Sequence, residues 1–222
     1  MNQNLTLKLA LTGAAALTLL AITAGGAVAA PSQISLSASP KTVVNGKIVT
    51  LTGHLKGSNN AAKNVQLQVS AFPFTSYVPS AVTLTNVSGD YSFTAAPAVA
   101  TRYKVLATDF TPAEESSVQT VTVNTKVSIK ASDSTPKRGA KVRFSGYAWP
   151  AHDGTVVELQ RRTTTGAFVT VAKTVLKDAG TTRSVYSRAL RVRKNGVYLV
   201  KVAATPENLA GTSATKSIRV HR

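Results

Sequence analysis

The chain has 222 residues, no cysteine, and a formal net charge of +17 from 26 Lys and Arg against nine Asp and Glu. The missing cysteines exclude a disulfide framework, a cysteine nucleophile, a zinc–thiolate centre and a lipid-anchored cysteine. The length suits one large or two small domains, and a charge of this size bears on partners and solubility, not on fold.

Lys8 is the only charged residue before Lys41. An apolar run over residues 9–24 follows it, then Gly25-Gly26 and the small-x-small exit Ala27-Val28-Ala29. A basic start, an apolar middle and a small-residue exit predict a secretory signal peptide over 1-29. Cleavage one residue later would put Pro31 beside the scissile bond. The competing reading is an uncleaved membrane anchor, since the run is nearly long enough to cross a bilayer. Gly25-Gly26 and the exit motif favour removal, so the remainder is read as secreted and extracellular. Without disulfides, such a chain relies on its apolar cores for stability.

The rest is built twice. Ile34-Ser35-Leu36-Ser37-Ala38 corresponds to Val127-Ser128-Ile129-Lys130-Ala131. Twelve residues after Ile34 comes Gly46, then Val49, Leu51 and Gly53; twelve after Val127 comes Gly139, then Val142, Phe144 and Gly146. Val65-Gln66-Leu67-Gln68 answers Val157-Glu158-Leu159-Gln160, and the pair Tyr91 and Tyr103 answers Tyr186 and Tyr198. Fixed spacing of this kind marks a structural repeat. The copies are expected over 34-123 and 127-220, joined by the short linker Asn124-Thr125-Lys126.

Within each copy the period is two, as a half-buried strand requires. Val49, Leu51, Val142 and Phe144 are expected to point inward, and Thr50, Thr52, Lys141 and Arg143 outward. Turn signals stand at Asn45-Gly46, Ser88-Gly89-Asp90, Asp153-Gly154 and Asn195-Gly196. Short alternating strands with Gly and Asn turns predict an all-β chain of two tandem antiparallel sandwiches. A copy length near 93 residues is the size of an immunoglobulin-like sandwich.

The second copy reads Ser145-Gly146-Tyr147-Ala148-Trp149-Pro150, then Gly154-Thr155-Val156-Val157-Glu158-Leu159-Gln160-Arg161-Arg162, with Phe168-Val169-Thr170-Val171-Ala172 beyond. This pattern resembles the immunoglobulin-like repeats of secreted actinobacterial proteins. The resemblance implies a bacterial, exported chain and an architecture, but no single activity. Two positions depart from it: Phe168 stands where tryptophan is usual, and the first copy has Val69-Ser70 where paired arginines are usual, followed by an unmatched segment over 72–77.

Charge is concentrated in one copy. Residues 30–124 hold six Lys and Arg against four Asp and Glu; residues 125–222 hold nineteen against five. In an immunoglobulin topology the first, second and fifth strands share a sheet. With those strands at 127–131, 141–147 and 185–193, alternation turns Lys130, Lys141, Arg143, Arg191 and Arg193 onto one outer face. The matching positions of the first copy are Ser37, Ile48, Thr50, Ala96 and Ala98, so the fold does not itself need the charge. Lys and Arg on a sheet also guard against edge pairing, which is the bland account of the same residues. Arg188 breaks the alternation; a β-bulge turning it outward is the favoured reading, with snorkelling along its stem as the alternative.

The lone tryptophan, Trp149, is expected in the core or at the domain junction. The other reading pairs it with Tyr147 as an aromatic platform for sugar. His152 and Asp153 are read as polar turn residues, and Glu114-Glu115 as a solvated loop. No phosphate-binding glycine loop or calcium loop appears in the sequence, and we assign no catalytic residue, metal or cofactor. The function expected is a non-catalytic secreted binding or spacer module, contacting an anionic cell-envelope polymer or an extracellular protein. Export and scarce aromatics count against nucleic acid. Carbohydrate binding and a secreted hydrolase using His152 are the remaining alternatives. Membrane contact would come only through an uncleaved leader.

Overall fold

The computed structural model describes residues 33–222; the leader expected over 1-29 lies outside them. All regular elements among the described residues are strands. In the first half, Val49–His54 pairs antiparallel with Ser37–Ser39 on one side and Asp90–Ala95 on the other. The facing sheet runs Thr42–Val44, Gln119–Asn124, Thr101–Ala107, Asn64–Ala71, Val78–Leu84. In the second half, Lys126–Val127 and Lys130–Ala131 both pair with Lys141–Trp149, followed by Ser184–Arg191 and Lys177–Asp178. Its facing sheet orders Phe168–Val175, Val156–Arg162 and Gly196–Val202, with Gly211–Thr212 and Lys216–Ile218 along the far edge. These are the two sheets of the immunoglobulin arrangement.

Alternation builds the cores. Val49, Leu51, Val142 and Phe144 are each fully buried, while Thr50, Thr52, Lys141 and Arg143 face solvent. One apolar cluster gathers Leu51, Val65, Tyr103 and Val121 in the first half; a second gathers Phe144, Leu159, Tyr186 and Val200. Both halves shift register at the same place, after Leu67 and after Leu159, which sharpens the local twist.

The repeated glycines have two separate causes. Gly46 and Gly139 sit at positive φ, +83° and +84°, where L side chains are strained. Gly53 and Gly146 are instead places of close approach. The hydroxyl of Tyr91 donates to the Ser35 carbonyl, and the hydroxyl of Tyr186 donates to the Ser128 carbonyl at 2.6 Å. Each tyrosine reaches the first strand by crossing the second. A Cβ at Gly53 or Gly146 would overlap the crossing hydroxyl and the accepting carbonyl. The Ser, Gly and Tyr spacing shared by the copies is therefore one clasp, built twice.

The halves meet through backbone bonds. Leu209 donates its N–H to Val123 O at 2.8 Å, and Thr125 donates to Leu209 O at 3.0 Å. The buried Asn208 donates its side-chain amide to Ala98 O and Val123 O at 2.9 and 3.2 Å, and accepts at Oδ1 from His152 Nε2, 3.0 Å away. Glu207 faces His152 Nδ1 at 3.0 Å. His152 does open a turn, its carbonyl accepting from Thr155 N–H at 3.1 Å, but its ring is buried in this network. Glu114–Glu115 likewise forms a short strand against Thr101–Ala107, with Glu115 paired to Lys104 at 3.0 Å.

Arg188 corrects the expected bulge. Pairing between Lys141–Trp149 and Ser184–Arg191 runs without interruption from Lys141↔Arg191 to Ala148↔Ser184. Arg188 stands opposite the buried Phe144, yet is exposed. Directly opposed residues share a face, so its stem leaves from the core side and carries the guanidinium out to water.

The clasp sets an alkaline limit. Burial holds the Tyr91 and Tyr186 phenols above their ordinary value of 10, and pushes Tyr103 up to about 12. The unfolded chain ionises first, so this stabilisation is complete below pH 10 and is lost as pH rises beyond it. Urea midpoints should be level from pH 8 to 9.5 and fall steeply by pH 11. Tyr186→Phe should cost about 1 kcal/mol at pH 8 and make the alkaline decline shallower.

Candidate functional site

The strand Lys141–Trp149 presents Lys141, Arg143, Ser145, Tyr147 and Trp149 on its outer side, since Val142, Phe144 and Ala148 fill the core. Register brings the neighbours in. Arg191 lies directly opposite Lys141, and Lys130 directly opposite Ser145. Lys130, Lys141, Arg143 and Arg191 are therefore exposed together on one sheet face. The Arg191 Nη1 donates to Gly139 O at 3.2 Å, which holds that guanidinium near the strand end. The ion pairs among the described residues are His54–Asp90, Lys104–Glu115, His152–Glu207 and Lys173–Glu158. None of them neutralises this face.

Arg193 departs from the expected placement. Its strand ends at Arg191, and Arg193 instead lines a cleft with Arg138, Lys194 and Arg222 at the end of the sandwich. Alternation itself holds, with Val192 buried and Arg193 exposed; the pairing closes at Val192, which bonds Ala140 O and Gly139 N at the turn before the neighbouring strand, so Arg193 emerges past the sheet.

Trp149 is not a core residue. Strand parity gives the inward place to Ala148 and turns Trp149 outward beside Tyr147, with ring centroids 5.7 Å apart and planes at 51°. Neither ring is a bare platform. The Lys126 ammonium lies 5.2 Å over Trp149, and the Arg183 guanidinium 4.2 Å over Tyr147. Cation–π contacts of this kind fix the positions of otherwise mobile cations. The aromatic pair thus extends the basic face with two further charges. Sequence reasoning missed both: Lys126 meets Trp149 through strand register, and Arg183 stands immediately before the strand Ser184–Arg191.

Neither histidine–aspartate neighbourhood is arranged for nucleophilic chemistry. Ser184 Oγ donates to Asp153 Oδ1 and accepts from the His152 backbone N–H, while both His152 ring nitrogens face Glu207 and Asn208. His54 Nδ1 faces Asp90 at 2.9 Å, and Ser35 Oγ bonds the His54 backbone rather than its ring. A base must reach the hydroxyl it activates, and neither ring does. Among the described residues no group of three or more His, Asp or Glu is placed to hold a metal ion. No helix among them is long and apolar enough to cross a membrane.

No family model and no curated protein matches the sequence. Among solved structures, a tetra-tandem repeat from the extending region of a large adhesion protein is similar over 84% of this chain, with 16% identity and a TM-score of 0.36. The chain spans about half of that protein's solved length, 49%. A likeness at that level carries nothing about function.

Like charges set directly opposite each other work against folding. Lys141→Thr, which relieves the Lys141–Arg191 opposition, should raise stability by about 0.5 kcal/mol at 20 mM salt. The gain should vanish near 1 M salt, where screening removes the repulsion. Urea unfolding at the two salt concentrations checks this.

Proposed function

We propose that the chain is an exported, non-catalytic module of two immunoglobulin-like domains, 34-123 and 127-220, of the kind found in secreted actinobacterial proteins. The second domain binds an anionic polymer of the cell envelope, and the first serves as a nearly neutral spacer. The observation that carries this reading is the contrast between two copies of one fold. The positions that hold Lys130, Lys141, Arg143 and Arg191 in the second copy are filled by uncharged residues in the first. Both copies bury Val49 and Val142, Leu51 and Phe144, and Tyr91 and Tyr186 at matching positions, so the core of the sandwich forms without the cations. Opposed, unneutralised charges retained at a folding cost are accounted for by a ligand that neutralises them.

The mode of binding is electrostatic and distributed. Strand side chains on one face recur every two residues, about 6.8 Å apart, and neighbouring strands lie about 4.8 Å apart. The result is a lattice of charge without an enclosing pocket, suited to repeating anions on an extended chain.

The test exchanges the charges for the first copy's own residues: Lys130→Ser, Lys141→Ile, Arg143→Thr, Arg191→Ala and Arg193→Ala together. The natural chain should be retained on immobilised envelope polyanion at 50 mM salt and released as salt rises. The exchanged chain should lose most of that retention, and its logarithmic salt slope should fall by roughly one for each cation that contacts the polymer. Retention unchanged by the exchange, or insensitive to salt, contradicts the proposal.

A further inference from the structure

The basic face does not stop at the edge of the sheet. Lys141–Trp149 and Gly196–Val202 begin, and Val156–Arg162, Ser184–Arg191 and Lys216–Ile218 end, at the same end of the second sandwich. This end lies opposite the junction with the first sandwich, where Trp149, Val202 and Gly211 are found. Arg138, Arg193, Lys194, Arg219 and Arg222 sit in the exposed segments just past these strand ends. Two adjoining clefts share Lys194 and Asn195; one also takes Arg161, Arg162 and Arg219, the other Arg138, Arg193 and Arg222.

This end is built rather than merely charged. Arg161 Nη2 donates to Asn195 O at 3.1 Å, and Val220 N donates to Asn195 Oδ1 at 2.7 Å. Arg138 N donates to His221 O at 2.9 Å, tying the last residues to the turn before Lys141. The loops that carry the cations are thus held by one another. Four of the five side-chain carboxylates of the second half are elsewhere: Glu207, Asp153 and Asp178 belong to the junction end, and Glu158 pairs with Lys173. Asp133 does lie towards this end, with its Oδ1 taken by the Thr135 N–H at 2.7 Å.

The face and the end join at Lys141 and Arg191, with Arg193 and Arg138 immediately past them. The face itself runs from Lys126 and Trp149 to Lys141, roughly 27 Å at the rise of an extended strand. The cationic surface therefore turns a corner, from the flat of a sheet onto the end of a sandwich. A duplex nucleic acid, stiff over about 50 nm, engages one surface or the other. A flexible chain bends around the edge and engages both. Guanidinium groups at the end supply paired donors for phosphate, sulfate or carboxylate oxygens.

We infer that the ligand is a flexible linear polyanion bound as one bent track across the sheet face and the arginine-rich end. This rests on the polyanion-binding reading above and specifies the ligand's mechanics. Linear phosphodiester polymers and acidic polysaccharides share the required chemistry, and the choice of probe separates them.

The experiment titrates the whole chain with short and long linear polyphosphate, short and long polyuronate, and a 12-base-pair DNA duplex, all at 100 mM salt. Two variants accompany it: a face variant, Lys130→Ser with Arg143→Ser, and an end variant, Lys194→Ser with Arg219→Ser and Arg222→Ser. All these side chains are exposed, and circular dichroism confirms folding. A long flexible probe should bind on the order of 100-fold tighter than one too short to turn the corner. Either variant alone should abolish that advantage, and the duplex should be sensitive to only one of them. Tighter binding of polyphosphate assigns a phosphate-bearing polymer, and of polyuronate an acidic polysaccharide; a length advantage lost in either variant supports the bent track with both. A length advantage that survives the end variant overturns it, as does a duplex that loses affinity in both variants. Binding of no probe at all would instead remove the polyanion reading beneath it.

Discussion

Each sandwich depends on a tyrosine that crosses a residue with no side chain. Tyr91 over Gly53 and Tyr186 over Gly146 tie the first strand of each copy to the fifth through the backbone of Ser35 or Ser128. In a chain without disulfides, these bonds secure the edge of the first, second and fifth strands. A buried phenol needs a partner, and the donation to a strand carbonyl supplies it without competing with the ladder. With the first strand fixed, the parity of every neighbouring strand follows, and so does the side on which each lysine and arginine emerges.

The two halves show how one frame tolerates different surfaces. Their inward residues are of the same kind, small to medium aliphatics around two tyrosines. Outward residues are free of that constraint, and the second half fills them with cations. Cation–π contacts at Lys126 and Arg183 stiffen one end of the face, and mutual bonding among the loops stiffens the other. The junction adds a further restraint, because Asn208 spends both its amide protons on carbonyls of the first half. The charged surface is thereby presented on a fixed support.

Much of the fold is legible in the sequence because strand burial has a period of two and because the copies can be laid over one another. Val49, Leu51, Val142 and Phe144 are buried for that reason. Of the two places expected for the lone tryptophan, parity excludes the core, since counting from Val142 turns Trp149 outward, and its pairing with Lys126 puts it at the junction. Arg188 was misread because a long stem resolves a broken alternation without an inserted residue. His152 escaped because its partners come 55 and 56 residues later in the chain. The arginine-rich end was invisible for a related reason. Arg138, Arg161, Lys194 and Arg219 are scattered along the sequence, and only the strand ends bring them to one place.

The account turns on binding being a property of the second half's surface and not of cationic side chains in general. Amide shifts of the isotopically labelled chain, followed by NMR during titration with short linear polyphosphate, test this most directly. The account predicts saturable shifts confined to the strands and end loops bearing Lys130, Arg143, Arg191, Lys194 and Arg219, with Lys41, Lys47, Lys56 and Lys63 unmoved. Shifts spread evenly over the lysines of both halves, or centred on the first half, would contradict it.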